Sequence, residues 1–225
     1  AKKKKDKKTQ RMATIRTTVN LDDAIAKHPM YTPFAEVKFG KMLGSGANGQ
    51  VFLGRWKSTD VALKVSMSQA NEGFIQEVNL MLGLRPHPNV VRIFGFSIHP
   101  ETQNVILILE FCDGGSLDNI LFDDPNDIPI AKKLAWIQGI ARGVLHLQSN
   151  NIVHRDLAAR NVLLHRGEAK ITDFGMSRVV DEGKKGTTTS DIGPIRWMAP
   201  ESIANKEYST KSGTRVFDTC HINCN

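Results

Sequence analysis

Along this chain the spacing of apolar positions changes from twofold alternation to helical recurrence, and the order of the changes predicts an architecture. Residues 37–43 and 50–56 are rich in β-branched, aromatic and other apolar side chains and read as two strands, joined across a stretch punctuated by Gly44, Gly46 and Gly49. A third strand follows at 61–65, where Ala62 and Lys64 share one face. Residues 73–84 place Phe74, Ile75, Val78, Met81 and Leu82 at helical spacings. Pro86 and Pro88 end that helix and lead into a strand at 90–95, and 104–111 is a nearly continuous apolar run, as a buried strand should be. From 130 to 148, Leu134, Ile137, Ile140, Ala141, Val144, Leu145 and Leu147 trace one broad helical face. Two short apolar strands, at 152–153 and 162–164, then bracket a polar loop. The expectation is an α+β fold in two lobes: an antiparallel lobe with one helix over 35–111 and a mainly helical lobe over 112–212. Residues 1–34 are polar and thinly apolar, expected as a tail or linker with one short helix near 21–25. No helical period survives in 213–225.

Composition refines this picture at three points. The net charge of +7 hints at nucleic acid until it is located: Lys2 to Lys5, Lys7 and Lys8 supply most of the excess, against Asp6 alone. The remainder is close to balanced, so no nucleic-acid groove is expected. For the basic end, three readings stay open: a solvated disordered tail, a juxtamembrane segment that tethers to a membrane, and a nuclear-localisation or nucleic-acid patch. Three cysteines make no disulfide framework, which favours a reducing compartment. No apolar run approaches the ~20 residues that span a bilayer. The chain begins with Ala1 rather than Met, so a fragment is expected, with room for an upstream span or domain.

Candidate chemistry is concentrated in a few short stretches. His154-Arg155-Asp156-Leu157-Ala158-Ala159-Arg160-Asn161 places an acid and an amide five apart on the loop between the two short strands. Gly44, Ser45, Gly46, Ala47, Asn48 and Gly49 form a G-x-G-x-x-G. Alone that is a weak signal, but a strand follows it here instead of the helix that opens a dinucleotide-binding unit. Val61-Ala62-Leu63-Lys64-Val65 follows in order, then Glu77 on the predicted helix, and then Asp173-Phe174-Gly175.

Together these stretches resemble the eukaryotic protein kinase domain, in its tyrosine-kinase and tyrosine-kinase-like groups, over most of the chain from residue 34 to residue 212. The resemblance implies a two-lobe fold with ATP in the cleft and a protein substrate beside it. It implies that Asp156 orients the substrate hydroxyl and accepts its proton, and that Asn161 and Asp173 hold Mg2+. Lys64, paired with Glu77, would neutralise the phosphates, and Arg160 would return a cation to the catalytic loop. The glycine loop from Gly44 to Gly49, with Leu43, Val51, Ala62, Glu110, Cys112 and Leu163, would bind the nucleotide. Leu109 would be the gatekeeper, Glu110 to Cys112 the hinge whose backbone pairs with adenine, and Asp113 to Gly115 a flexible exit. His154 and Phe174, with Met81 and Ile93, fit the family's internal apolar column.

Serine/threonine members typically carry lysine two residues after the catalytic aspartate; Ala158 stands there, with Arg160 beyond it, as in the tyrosine-kinase pattern. Pro194-Ile195-Arg196-Trp197 resembles the tyrosine-kinase docking segment. The stretch 173–201 nevertheless contains no tyrosine, and its candidate phosphosites are Thr187, Thr188, Thr189 and Ser190. Tyrosine or dual specificity is favoured, with serine/threonine specificity as the alternative.

Two departures stand out. Asn48 replaces the aromatic residue that caps the phosphates in many members. Beyond Ser212 the family's Asp-Val-Trp-Ser-Phe-Gly is replaced by 213–225, read as a non-family tail. An incomplete large lobe is therefore expected, with an apolar patch exposed beneath 130–148 and little activity for this chain alone. Cys220, His221 and Cys224 have the look of a metal pattern, but a fourth ligand is missing. The rival reading is a non-catalytic, kinase-like module that binds ATP or a partner. The expected location is the cytoplasm, or the cytoplasmic face of a membrane.

Overall fold

In the first half of the chain, apolar alternation buries both faces of a single sheet. A computed structural model describes residues 25–46, 49–69, 78–79, 81, 83–123, 128–174, 177–179, 186–187 and 207–208. Its main sheet has five antiparallel strands in the order β1-β2-β3-β5-β4. They are β1 (Val37–Gly46), β2 (Gly49–Trp56), β3 (Thr59–Gln69), β4 (Ile93–Ile98) and β5 (Asn104–Glu110). One face carries Ala62, Ile93 and Leu109 into the largest core cluster, with Val51 and Leu107 packed beside them. The opposite face buries Val61, Leu63, Ile106 and Ile108 under Phe34, Phe52, Trp56 and Phe94. Aromatic rings are large enough to close that second face without another layer of structure. Gly49 closes the β1–β2 hairpin at φ +124°, where a Cβ would lie 2.0 Å from the Val65 carbonyl oxygen, so only glycine fits.

The sequence expectation of an unpacked tail up to residue 34 fails for its last ten positions. Tyr31 bridges Phe96 in parallel, Thr32 N–H donates to the Phe96 carbonyl at 2.8 Å, and Phe96 N–H donates to the Met30 carbonyl at 3.0 Å. Ile25 is buried with Val78 and Phe96, and His28 sets its ring edge on Phe96 at 5.2 Å. Phe34–Glu36 forms a short 3-10 turn that leads into β1. Ile25, Met30 and Tyr31 pack with Val78 and Phe96, and Phe34 packs on the second face of the sheet, so this strap needs no core of its own. It satisfies the open edge of β4. Of the helix expected near 21–25, only Ile25 falls among the described residues, and it is helical.

After β5 come α1 (Leu117–Asp123), α2 (Ile130–Ser149), β6 (Ile152–Val153), β7 (Val162–His165), β8 (Glu168–Ile171) and β9 (Arg178–Val179). The buried stripe of α2 is Trp136, Gly139, Ile140, Gly143, Val144 and Leu147. This is narrower than the broad face read from sequence: Ile130, Leu134 and Leu145 are 65%, 50% and 65% exposed. The expected apolar patch on this helix is thus present among the described residues. Its two glycines set the buried side by letting the helix approach Asn89 closely. A Cβ on Gly139 would lie 2.8 Å from Asn89 Nδ2, and one on Gly143 would lie 2.7 Å from the Asn89 carbonyl oxygen.

Asn89 in turn joins the loop before β4 to β8. Its side-chain amide donates to the Ala169 carbonyl at 2.9 Å, and its carbonyl accepts from Ile171 N–H at 2.9 Å. Among the described residues no helix is long and apolar enough to cross a membrane.

Replacing Gly143 by alanine tests this close approach. Helix propensity alone favours the change by about 1 kcal/mol. Overpacking against a backbone oxygen and Ile171 costs about 1–3 kcal/mol. We expect net destabilisation, read as a lower urea midpoint; a midpoint equal to or above the parent's would contradict this packing.

Candidate functional site

The polar loop between β6 and β7 holds an acid whose two oxygens are already oriented. Asp156 is buried, and its Oδ1 accepts from the Arg160 guanidinium one helical turn on. Its Oδ2 accepts from Asn161 Nδ2 at 2.9 Å, and the same amide nitrogen donates to the Asp156 carbonyl oxygen at 2.7 Å. Both contacts from Asn161 use its nitrogen, which leaves its amide oxygen as the end suited to a cation. Arg155 at φ 66° and Asp173 at φ 62° both adopt the left-handed region without being glycine. Such conformations cost about 1–3 kcal/mol each and collect at functional sites.

His154 ties this loop to the segment that carries Asp173. Its Nε2 lies 2.8 Å from the Thr172 carbonyl oxygen, and its ring meets Phe174 edge to face at 5.3 Å. Burial holds the imidazole below its ordinary pKa. The ring is then neutral, and Nε2–H is the donor. Thr172 N–H donates to the Asn161 carbonyl at 2.9 Å, so one candidate cation-binding residue is bonded to the neighbour of the other, Asp173. Met81, Ile93 and Phe174 are buried in one cluster beside His154, as expected for an internal apolar column.

Across the cleft, Lys64 on β3 reaches Asp173: Nζ to Oδ1 is 2.6 Å, with each side chain under one-fifth exposed. Glu77, expected to hold Lys64, lies outside the described residues, as do Ala47, Asn48 and Gly175. Gly44 and Gly46 are described, and a Cβ built on either meets nothing within 4 Å. No internal packing therefore demands glycine at these two positions. A bare backbone there suits a ligand that approaches closely.

Val51, Ala62, Leu109, Cys112 and Leu163 come together in the main apolar cluster, and Leu43 stands 42% exposed. This groups the residues read as a nucleotide slot, while Ser45 lies on the exposed end of β1. A separate cavity of about 190 Å3 is lined by Met30, Leu84, Arg85, Val90 and Phe174 among others, and contains none of the residues predicted to bind nucleotide or metal.

The hinge differs from the sequence expectation in two ways. Its exit is not slack: Gly114 N–H donates to the Leu164 carbonyl and Leu164 N–H to the Gly115 carbonyl, both at 2.9 Å. A Cβ on Gly114 would lie 2.7 Å from Leu164 Cβ, so the glycine serves close packing instead of flexibility. At the other end, Glu110 N–H is already donated to the Arg92 carbonyl at 2.8 Å, and the Glu110 carbonyl accepts from the Cys112 thiol at 4.0 Å. The Glu110 carboxylate accepts from Lys170 Nζ at 3.0 Å and from Arg92 N–H at 3.2 Å. Sequence reading missed Lys170 and Asn89. The available signal was a lysine between Ala169 and Ile171 and an asparagine between two prolines and a strand.

Comparison with known proteins gives the following. The profile of a family described as protein tyrosine and serine/threonine kinase matches residues 37–221. The chain is 35% identical over 190 residues to ephrin type-B receptor 1 of Gallus gallus, covering 78% of this chain and 19% of that receptor. It is 36% identical over 183 residues to a putative serine/threonine-protein kinase/receptor of Acanthamoeba polyphaga mimivirus, covering 77% of this chain and 11% of the other. It is 37% identical over 185 residues to the RGS domain-containing serine/threonine-protein kinase A of Dictyostelium discoideum, covering 79% and 16%. The chain thus spans under a fifth of the length of each of these three relatives.

One reactivity follows from the slot. Burial, reinforced by the Glu110 carboxylate, pushes the Cys112 thiol up to about 12. We expect iodoacetamide at about pH 8 to leave Cys112 unlabelled in the folded chain and to label it after denaturation. Peptide mass spectrometry reads the difference, and rapid native labelling would contradict the buried placement.

Proposed function

The chain belongs to the protein tyrosine and serine/threonine kinase family, and from that premise we propose that it transfers the γ-phosphate of ATP to a hydroxyl of a protein substrate, with Asp156 orienting that hydroxyl and taking its proton. The observation that carries this reading is the Asp156 carboxylate, buried yet held by both Arg160 and Asn161. A general base must be fixed in direction, because phosphoryl transfer gains most from positioning and charge neutralisation. Two donors on separate oxygens supply that fixity while each oxygen keeps a lone pair for the acceptor. Kinases of this family use ATP and a divalent cation in general.

Asn161 and Asp173 suit Mg2+, a hard cation that prefers oxygen and needs only one or two protein ligands beside phosphate and water. Among the described residues no three His, Cys, Asp or Glu side chains converge as an alternative metal site. Bound there, the cation would neutralise phosphate charge. The chain's own part is to present Asp173 opposite Lys64, so that the cationic side chain is free for phosphate once the carboxylate takes the metal. The slot of Val51, Ala62, Cys112 and Leu163 supports an adenine between the lobes, with Leu43 and the glycines at its mouth.

Tyrosine or dual specificity rests on position 158. Ala158 is buried and carries no cation, and Arg160 supplies the charge from within Asp156's own network. Membrane proximity through the basic run at residues 2–8 is part of the same proposal, on charge alone. So is placement at the cytoplasmic face, where ATP is supplied.

Asp156→Asn keeps the shape and removes the base. We expect it to lower the rate of phosphate transfer to a mixed tyrosine and serine/threonine peptide pool by about 10²–10⁴-fold. The comparison is made between the two chains under identical assay. A variant as fast as the parent would remove Asp156 from the base role. Label found on serine and threonine alone would overturn the acceptor preference.

A further inference from the structure

Two histidines lie outside the site and stack on each other at the junction between the β4-side loop and α2. The rings of His87 and His146 are 4.6 Å apart between centroids and 14° from parallel. Each also holds a backbone group. His146 Nε2 lies 2.9 Å from the Arg85 carbonyl oxygen, so it donates its proton there. His87 Nδ1 lies 3.1 Å from Asn89 N and accepts its N–H, which puts the His87 ring proton on Nε2. Asn89 is 2% exposed and holds β8 from two sides: its side chain bonds the Ala169 carbonyl, and its carbonyl bonds Ile171 N–H. Thr172 and Asp173 follow directly. The Arg142 guanidinium, on the same α2 helix, reaches Asn89 Oδ1 at 3.3 Å.

We propose that His87 and His146 form a proton-sensitive clamp whose neutral His87 positions Asn89, and through it the strand that presents Asp173. Protonation at His87 Nδ1 replaces an acceptor by a donor facing Asn89 N–H, so that hydrogen bond is lost. The added charge also faces the Arg142 guanidinium and the stacked His146 ring on α2 and the Lys170 ammonium on β8, with Arg85 two residues before it on the loop. His87 and His146 are thus positioning residues, two links removed from the reacting groups. The functional consequence rests on the kinase reading; the clamp itself does not.

Burial, followed by His146, Arg142 and Lys170, holds His87 below the ordinary imidazole value. The sign follows: above about pH 6.5 neither native nor unfolded His87 carries a proton and the clamp's contribution is complete. As the pH falls below that value toward the lowered native one, the unfolded ring takes up its proton first, and the contribution is lost.

The test uses the full chain, with ADP and Mg2+ as the probe, titrated from about pH 7.8 down through the ordinary imidazole value to the lowest pH at which the chain stays folded. His87→Asn keeps an acceptor oxygen near the Nδ1 position and removes the titration. Acidification should weaken nucleotide binding roughly fivefold more in the parent than in H87N, the low end of site-to-site couplings. Comparing the two proteins cancels protonation of the nucleotide itself. An equal loss in both overturns the clamp. Should H87N not fold, His146→Phe keeps a stacked ring and removes a group that opposes protonation of His87, so the acid loss must begin at higher pH; an unmoved loss overturns the clamp. The Asn89 amide resonance gives a readout independent of nucleotide: it should move with His87 titration in the parent. If ADP does not bind at the higher pH while that resonance still moves, the kinase reading fails and the clamp stands. A resonance that ignores the titration sinks the clamp.

Discussion

One ion pair joins the two halves of this site: Lys64 from the β-sheet lobe on Asp173 from the segment after β8, 2.6 Å apart and largely shielded from water. In such surroundings removing either partner leaves a charge that is costly to bury alone, about 3–5 kcal/mol when burial is complete. The surrounding architecture serves to deliver these two groups. Alternation on β3 puts Lys64 on the cleft face beside Ala62, cross-strand from Leu107. Asp173 arrives from β8, which Asn89 holds against α2, at a backbone conformation that non-glycine residues seldom take. The loop that carries Asp156 is keyed to the same segment through His154 on Thr172 and Thr172 on Asn161. The acid, the amide, the second acid and the lysine therefore form one connected network.

Much of this was legible from sequence, for identifiable reasons. Strand alternation, the glycine stretch and the acid–amide spacing are local signals, and local signals survive without a fold. The five strands and the long helix follow from them, while the grouping of Val51, Ala62, Cys112 and Leu163 was an implication of the family resemblance. What escaped depends on distant partners. The strap at 25–34 takes its order from the open edge of β4, a partner distant in sequence. The buried side of α2 was misjudged because two glycines, silent in any hydrophobic pattern, admit Asn89 and turn Leu134 and Leu145 outward. Gly114 and Gly115 looked like slack in the chain; their contacts with Leu164 show a close-packed ladder instead.

Glu110 was expected for its backbone alone, yet its carboxylate links β5 to β8 through Lys170 and to the approach of β4 through Arg92. Lys170 sits in the strand that leads to Asp173, so the same strand answers both to the hinge and to Asn89. A change at either place bears on the ion pair without touching it. Glu77 and the tip of the glycine loop lie outside the described residues, and their roles rest on resemblance.

The central claim is that the Lys64–Asp173 pair gives way to a nucleotide and a divalent cation. Calorimetric titration of ADP with and without Mg2+, in the parent chain and in Asp173→Asn, tests it most directly. The account predicts that Mg2+ strengthens ADP binding in the parent and that this increment disappears in the variant, whose metal-free binding persists. An undiminished Mg2+ increment in Asp173→Asn would contradict the account, because the carboxylate would then have no part in holding the metal.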